Sequence, residues 1–431
     1  MDRRDAADGR VGPDPGRTDL IVLAGGTTPT SAGGTERVIT AIRTAEPRTI
    51  VLHHDLRDVA RGVVRRRLRL TDLDQATTLE LAHGCVSCTL REDILPLLRE
   101  LGRRGDVHRI VLHLDPVLEP EQVCWAVLHV LVGGATITDS VDLRGVITVL
   151  DLDSWLADAT DAAEPAEHGL SALPDDDRTI AQLVVGQAEF ADLIVHTGTP
   201  EPWLLARTDA VLARLTPMAP RLASSDLAIS HLDRSLLLDD LPAGARRGRP
   251  DTPHAALLRG QPPLHPQAGV QMITFTARRP FHPERLHTAI DVLLDGVVRA
   301  RGRIWLATRP DACLWLESAG GGLQVGHVGG WLATADDDAW DSADPERRTA
   351  AALRWHPRWG DRVQELTVLL HDADPDDIDA ALRAALLTDT EISAGEAAWQ
   401  AYPDPFGWWH TDPCDDLTPE PAQPRHQEDQ A

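Results

Sequence analysis

The sequence predicts an α/β protein: a doubly wound sheet followed by a smaller α+β domain. Three observations carry that prediction. Short apolar runs recur through residues 19–240, separated by helical stretches, as expected of parallel strands buried on both faces. A stretch rich in Pro, Gly, Arg and His at 241–268 then interrupts the pattern as a linker, and strands mixed with two helices follow over 269–410. A chain of 431 residues, 42% hydrophobic and 25% charged, is long enough for two or three domains with cores of their own.

The elements follow in order. Residues 1–18, dominated by Asp, Arg, Gly and Pro, are expected to be disordered. Residues 20–24 (LIVLA) form a buried strand ending at two glycines, with a helix beyond the Gly-rich loop. Strands are expected at 49–53 (TIVLH) and at 63–70 (VVRRRLRL), the latter with its arginines exposed, then a helix at 92–101. Residues 109–114 (RIVLHL) are the next buried strand and 121–131 the next helix. Strands at 145–150 and 192–196, with a helix at 179–190 between them, complete the first domain. In the second, strands are expected at 270–276, 303–307, 312–317, 323–327 and 362–370, and helices at 283–294 and 375–386. The turns fall at Arg309-Pro310 and Gly320-Gly321-Gly322. Residues 411–431 are an acidic tail without periodicity.

Composition excludes some functions. The net charge is -25, so broad nucleic-acid contact and direct DNA binding are not expected, and a basic protein partner fits better. Arg61, Arg65, Arg66, Arg67 and Arg69 are read as a solvated face. Lysine is absent from the chain, which removes Schiff-base chemistry and any P-loop ammonium. Cys85, Cys88, Cys124, Cys313 and Cys414 are too few and too irregularly spaced for a disulfide framework. The N-terminus lacks an apolar core of the secretory kind, and the longest apolar stretch, 123–132, is too short to span a bilayer. A cytoplasmic protein is expected.

Two motifs carry chemistry. His83-Gly84-Cys85-Val86-Ser87-Cys88 places two cysteines three apart, so that a tight turn brings both thiols to one side of a soft metal. Zinc asks for four ligands; His83 is a candidate third, and His113 another if the fold brings it close. The bland alternative is a pair of buried thiols at a turn. The second motif is the loop after LIVLA. Strand, Gly-rich loop and helix is the order of a phosphate-binding loop, and Gly25, Gly26, Thr27, Thr28, Gly33, Gly34 and Thr35 are its candidate residues. Gly34 stands where such a loop carries lysine, and Pro29 removes one N–H donor. The loop is therefore read as degenerate, and GTP binding as doubtful.

The stretch HGCVSCTLREDILPLL resembles the GCxCCTLRxDL segment of the CobW-like P-loop GTPases, many of which are zinc metallochaperones; Ser87 replaces the middle cysteine. GVITVLDLDSWL, AQLVVGQAEFADLIV, RARGRIWLATRPD and WGDRVQELTVLL resemble further family segments in the same order, over about residues 20–410. The resemblance implies a P-loop NTPase-like first domain and a CobW-type C-terminal domain. Where the family has its guanine-specifying NKxD, this chain has His196-Thr197-Gly198-Thr199. In place of the acidic switch segment stands His113-Leu114-Asp115-Pro116. HGCVSCT, VVGQAEFAD, RPFHPERLH and YPDPFGWWH are closest to the actinobacterial Mrf group. That resemblance implies a protein that recruits the hibernation-promoting factor to the ribosome when zinc is scarce, without GTPase activity. A ribosomal protein is the other partner it implies, and a GTP-binding zinc metallochaperone is the alternative function.

Overall fold

The computed structural model describes residues 17–70, 73–81, 84–171, 173, 176–228 and 238–407. Nearly all of the expected disordered N-terminus and the whole acidic tail lie outside these residues, as do His83, Trp408, Trp409 and Cys414. Thr18 is an exception: it is buried and opens the first strand.

The first sheet has eight strands: β1 (Thr18–Gly25), β2 (Thr49–Asp55), β3 (Val63–Leu70), β4 (Leu73–Glu80), β5 (Arg109–His113), β6 (Val141–Asp151), β7 (Leu193–Thr197) and β8 (Arg221–Ala223). Their order across the sheet is β4-β3-β2-β5-β1-β6-β7-β8. All neighbours are parallel except the β2–β3 and β3–β4 pairs. The central strands are apolar along their middles because both faces are covered. Leu20, Val22 and Ala24 of β1 join one core, and Ile21 and Leu23 the other. Helix α1 (Pro29–Ala45) covers the second face with Val38, Ile39 and Ile42. The first face is covered by α2 (Val86–Thr89), a wider turn at Leu90–Ile94, α3 (Leu95–Gly102) and α4 (Pro120–His129).

Strand β4 had no apolar signature to announce it. It is an edge strand, exposed along most of its length, held by pairing to β3. The arginines of β3 are matched by carboxylates: Arg65 with Asp58, Arg66 with Asp93, Arg67 with Asp74 and Arg69 with Glu36. That pairing supports the reading of a solvated face.

After α5 (Trp155–Asp158), helices α6 (Ile180–Glu189) and α7 (Pro202–Leu215) lead to the second domain. Its antiparallel sheet contains β9 (Gln271–Ala277), β10 (Val297–Ile304), β11 (Ala312–Ala319), β12 (Gly322–Gly330) and β13 (Gln364–Leu370), in the order β12-β11-β10-β13-β9. Helices α8 (Pro283–Ala289) and, further along, α11 (Pro375–Ala385) pack on one face. Between β12 and β13 lie two short helices, α9 (Asp337–Ser342) and α10 (Pro345–Arg354). The last helices among the described residues are α12 (Asp389–Ala394) and α13 (Glu396–Trp399).

One expected strand moves. The run at 303–307 was expected to be a strand, but β10 covers Val297–Ile304 and its pairing stops there. Residues 305–307 are still buried: Trp305 and Ala307 in a second cluster with Trp331, Trp359 and Trp399, and Leu306 in the main core of this domain. Apolar burial alone does not distinguish a strand from a packed loop. Residues 241–268 contain neither helix nor strand but are not a loose tether. Asp192 accepts from the N–H groups of Arg247 and Gly248, and Arg303 donates to the carbonyls of Pro253 and Ala255. No helix among the described residues is long and apolar enough to cross a membrane.

Candidate metal and nucleotide centre

The C-terminal ends of β1, β2, β5 and β6 converge on one rim, where an α/β sheet presents its loops. Two features meet there: the loop into α1, and the chain that carries the cysteine pair.

The loop is short. Strand β1 ends at Gly25, whose φ is 98° and whose place for a Cβ is filled by the Val149 carbonyl at 2.1 Å. Only Gly26, Thr27 and Thr28 separate it from Pro29, the first residue of α1. Thr28 is the N-cap, and with Ser31 it forms a reciprocal capping box. Ser31 N donates to Thr28 Oγ1 at 3.2 Å, and Thr28 N donates to Ser31 Oγ at 3.0 Å. Thr28 Oγ1 also donates to Asp151 Oδ2 at 2.8 Å, so a carboxylate from the end of β6 stands against the positive end of the helix.

This arrangement does not fit a phosphate. A phosphate cradle needs several free backbone N–H groups converging on one point. Here two are spent on the capping box, Pro29 offers none, and Asp151 already brings negative charge. Gly33, Gly34 and Thr35 lie inside α1 and not at its mouth. Gly33 is exposed and a Cβ there would meet nothing within 4 Å, and Thr35 Oγ1 donates to the Ser31 carbonyl. Gly34 is buried where α1 crosses the sheet, and a Cβ there would lie 2.5 Å from Thr197 Cγ2 and 2.9 Å from Val149 Cγ1. It is a glycine of close packing, not the vacated seat of a lysine. Gly25, Gly26, Thr27 and Thr28 remain at the rim, and Thr35, though inside α1, sits beside them: a Cβ on Gly26 would lie 3.5 Å from Thr35 Oγ1; Gly33 and Gly34 do not join them.

The cysteine pair sits on the opposite face. Cys85 is the N-cap of α2, and its Sγ accepts from Cys88 N at 3.2 Å. The two sulfurs lie 2.8 Å apart, half-buried and outside any disulfide. Gly84 is forced by crowding, since a Cβ there would lie 2.3 Å from the Val59 carbonyl. Two thiols side by side on one tight turn suit a soft cation. Cys85 and Cys88 therefore fit as two ligands of a zinc ion. Among the described residues, no group of three His, Cys, Asp or Glu is placed to hold a metal.

His113 is not brought to them. Strand alternation puts it on the α1 face, while α2 lies on the other. Its ring stacks on that of His53, its register partner on β2, with centroids 4.5 Å apart. His113 Nδ1 is buried without a hydrogen bond, and enclosure pushes the pKa down to about 3. Asp115, two residues on, accepts from Leu56 N and Val117 N, and burial raises its pKa.

Sequence reasoning missed a third group, under the cysteine turn. Asp93 bridges His54 Nε2 at 2.6 Å and Arg66 at 2.6 Å. Burial lowers the His54 pKa against the pull of that carboxylate. The only hint in the sequence was the pair of adjacent histidines at a strand end. Cys124 and Cys313 lie deep in apolar surroundings that push their thiols up, Cys313 to about 12, and they are inert as expected.

Comparison with known proteins gives the family. Residues 38–215 match the CobW/HypB/UreG nucleotide-binding domain, and residues 270–386 match the cobalamin synthesis protein cobW C-terminal domain. A Mycobacterium tuberculosis protein named zinc chaperone Rv0106 is 46% identical over 410 residues, spanning 93% of this chain and 96% of that one. A Dictyostelium discoideum protein named zinc-regulated GTPase metalloprotein activator 1 is 24% identical over 351 residues, spanning 79% of this chain and 72% of its own. The crystal structure of zinc-bound YjiA GTPase from E. coli aligns over 86% of this chain and 99% of its own, at 14% identity and a TM-score of 0.36. The chain belongs to the CobW family, joining a CobW/HypB/UreG nucleotide-binding domain to a CobW C-terminal domain.

Proposed function

We propose that this chain is a zinc-linked member of the family that works in the cytoplasm without GTP turnover. In this reading Cys85 and Cys88 hold or sense zinc, and the protein acts by recruiting a partner. Its resemblance to the Mrf group makes that partner the ribosome hibernation-promoting factor or a ribosomal protein. The observation that carries the proposal is the closed mouth of α1, where Thr28, Ser31 and Asp151 use the donors and the field that a nucleotide phosphate would need. The span matched by the nucleotide-binding family begins at residue 38, past that mouth. The absence of lysine supports the same conclusion. A second reading, a zinc metallochaperone that binds GTP, draws support from relatives named a zinc chaperone and a zinc-regulated GTPase.

The test is a titration of the purified chain with zinc and with a fluorescent GTP analogue, repeated on the Cys85→Ser, Cys88→Ser double variant. The expected result is zinc binding lost in the variant and no analogue binding to either protein. Tight analogue binding coupled to zinc would transfer the conclusion to the metallochaperone reading. Co-purification of the hibernation factor with the zinc-depleted protein tests the partner.

A further inference from the structure

The segment between β12 and β13 is an anomaly of burial. Helix α9 buries none of its residues, and α10 buries only Ala351. Helices this short are not stable on propensity alone; packing normally holds them. The caps supply part of the order: Asp336 accepts from Ala339 N, and Asp344 from the N–H groups of Glu346 and Arg347. The apolar side chains of the segment face water. Leu353 is 83% exposed and Trp355 47% exposed, and the Trp355 ring meets Trp340 edge-on with centroids 5.8 Å apart.

The charge of the segment is predominantly acidic: six exposed carboxylates stand against Arg347, Arg348, Arg354 and Arg358, the last exposed with its guanidinium 4.5 Å from the centre of the Trp359 ring. Asp336, Asp337, Asp338, Asp341, Asp344 and Glu346 are all exposed. Arg347 and Arg354 are turned away to the Gly330 carbonyl and to Glu365, and Arg348 reaches only Asp341, at 3.9 Å. Asp337, Asp338 and Glu346 make no ion pair among the described residues.

We propose that the α9–α10 face is a docking surface for a basic protein segment carrying an apolar anchor. Leu353 and Trp355 cover the anchor, the indoles offer faces to guanidinium or ammonium groups, and the surrounding carboxylates neutralise them. Nucleic acid is disfavoured by the sign of the charge. The identity of the natural partner rests on the recruitment reading above. The surface itself is argued from its own residues, in the second domain, and needs neither zinc nor nucleotide.

The experiment uses the full chain and a dye-labelled synthetic helix of Arg, Lys and Leu, followed by fluorescence anisotropy without metal or nucleotide. Two matched peptides serve as controls, one with Ser for every Leu and one with Glu for every basic residue. Saturable binding is expected for the first peptide only, weakened at least tenfold by Leu353→Ser with Trp355→Ala. The set Asp337→Asn, Asp338→Asn and Glu346→Gln, all at exposed positions, should weaken it several-fold and flatten its salt dependence. Trp203→Ala, at an exposed tryptophan on α7, should leave it unchanged. Equal binding by the Leu353/Trp355 variant, or by the Leu-free peptide, would mean that the peptide senses only the net charge, and would overturn the proposal. So would self-association of the chain abolished by Leu353→Ser, which would make a second copy the occupant. A failed zinc or hibernation-factor experiment leaves these outcomes untouched, so the two readings fail separately.

Discussion

At the scale of single residues, Gly34 separates the two accounts of α1. If it were a lost lysine position, Gly34→Lys would restore phosphate binding. The packing against Thr197 and Val149 predicts instead that the variant gains no affinity for a GTP analogue and loses roughly 3 kcal/mol or more, because a long charged chain is driven into a filled helix–sheet contact. Urea denaturation beside an analogue titration distinguishes the two. His113 makes a prediction in pH. Its folded pKa of about 3 lies below the ordinary 6.5, so between those values the unfolded chain binds a proton that the folded ring does not. Stability therefore rises with pH across that window, is complete above about 6.5, and is lost progressively towards 3. His113→Gln should reduce that slope by at most about 1.4 kcal/mol per pH unit, read from urea midpoints between pH 4.5 and 7. Sequence spacing found Cys85 and Cys88 because both lie within one turn. It could not decide whether His113 joined them, because that depends on which face of β5 the side chain takes.

At the scale of elements, the start of α1 was half legible. Thr28-Pro29 is a readable helix start, a capping residue followed by proline at the first turn. The Gly-rich composition instead drew the loop out to Thr35, seven residues past the N-cap at Thr28. Asp151 left no local signal, since it lies 123 residues from Thr28 and meets it only when β6 pairs with β1. Thr28→Ala is expected to cost about 1 kcal/mol of stability, the usual worth of an N-cap, measured by chemical denaturation. Strands β1, β2, β5, β7 and β13 were found at nearly their observed bounds because their apolar runs are unbroken, whereas β10, interrupted by Arg299, Arg301 and Arg303, was displaced. Strand β4 and helices α9 and α10 were not found, because exposed elements carry little of the periodicity that sequence reading depends on.

At the scale of the whole molecule, the two domains share a core and a buried charge cluster. Val270, Met272, Val298 and Leu369 pack against α6 and α7 of the first domain. Glu189 at the end of α6 is held between Arg299 and Arg301 of β10, all three largely enclosed. Removing that carboxylate leaves two buried guanidinium groups short of a partner. Glu189→Gln should therefore cost about 3 kcal/mol or more, and calorimetry is expected to show one transition for the parent and two for the variant. The family alignment with its two matched spans gives the domains but not this coupling, which arises from residues far apart in sequence. The closed mouth of α1 has a consequence for the cell under the reading proposed above. Under that reading, a protein whose helix mouth already faces its own aspartate keeps no clock: no fuel molecule resets it, and its state follows metal supply and partner abundance. Such a device responds reversibly, runs equally well in a starved cell, and returns to rest only when the zinc comes back.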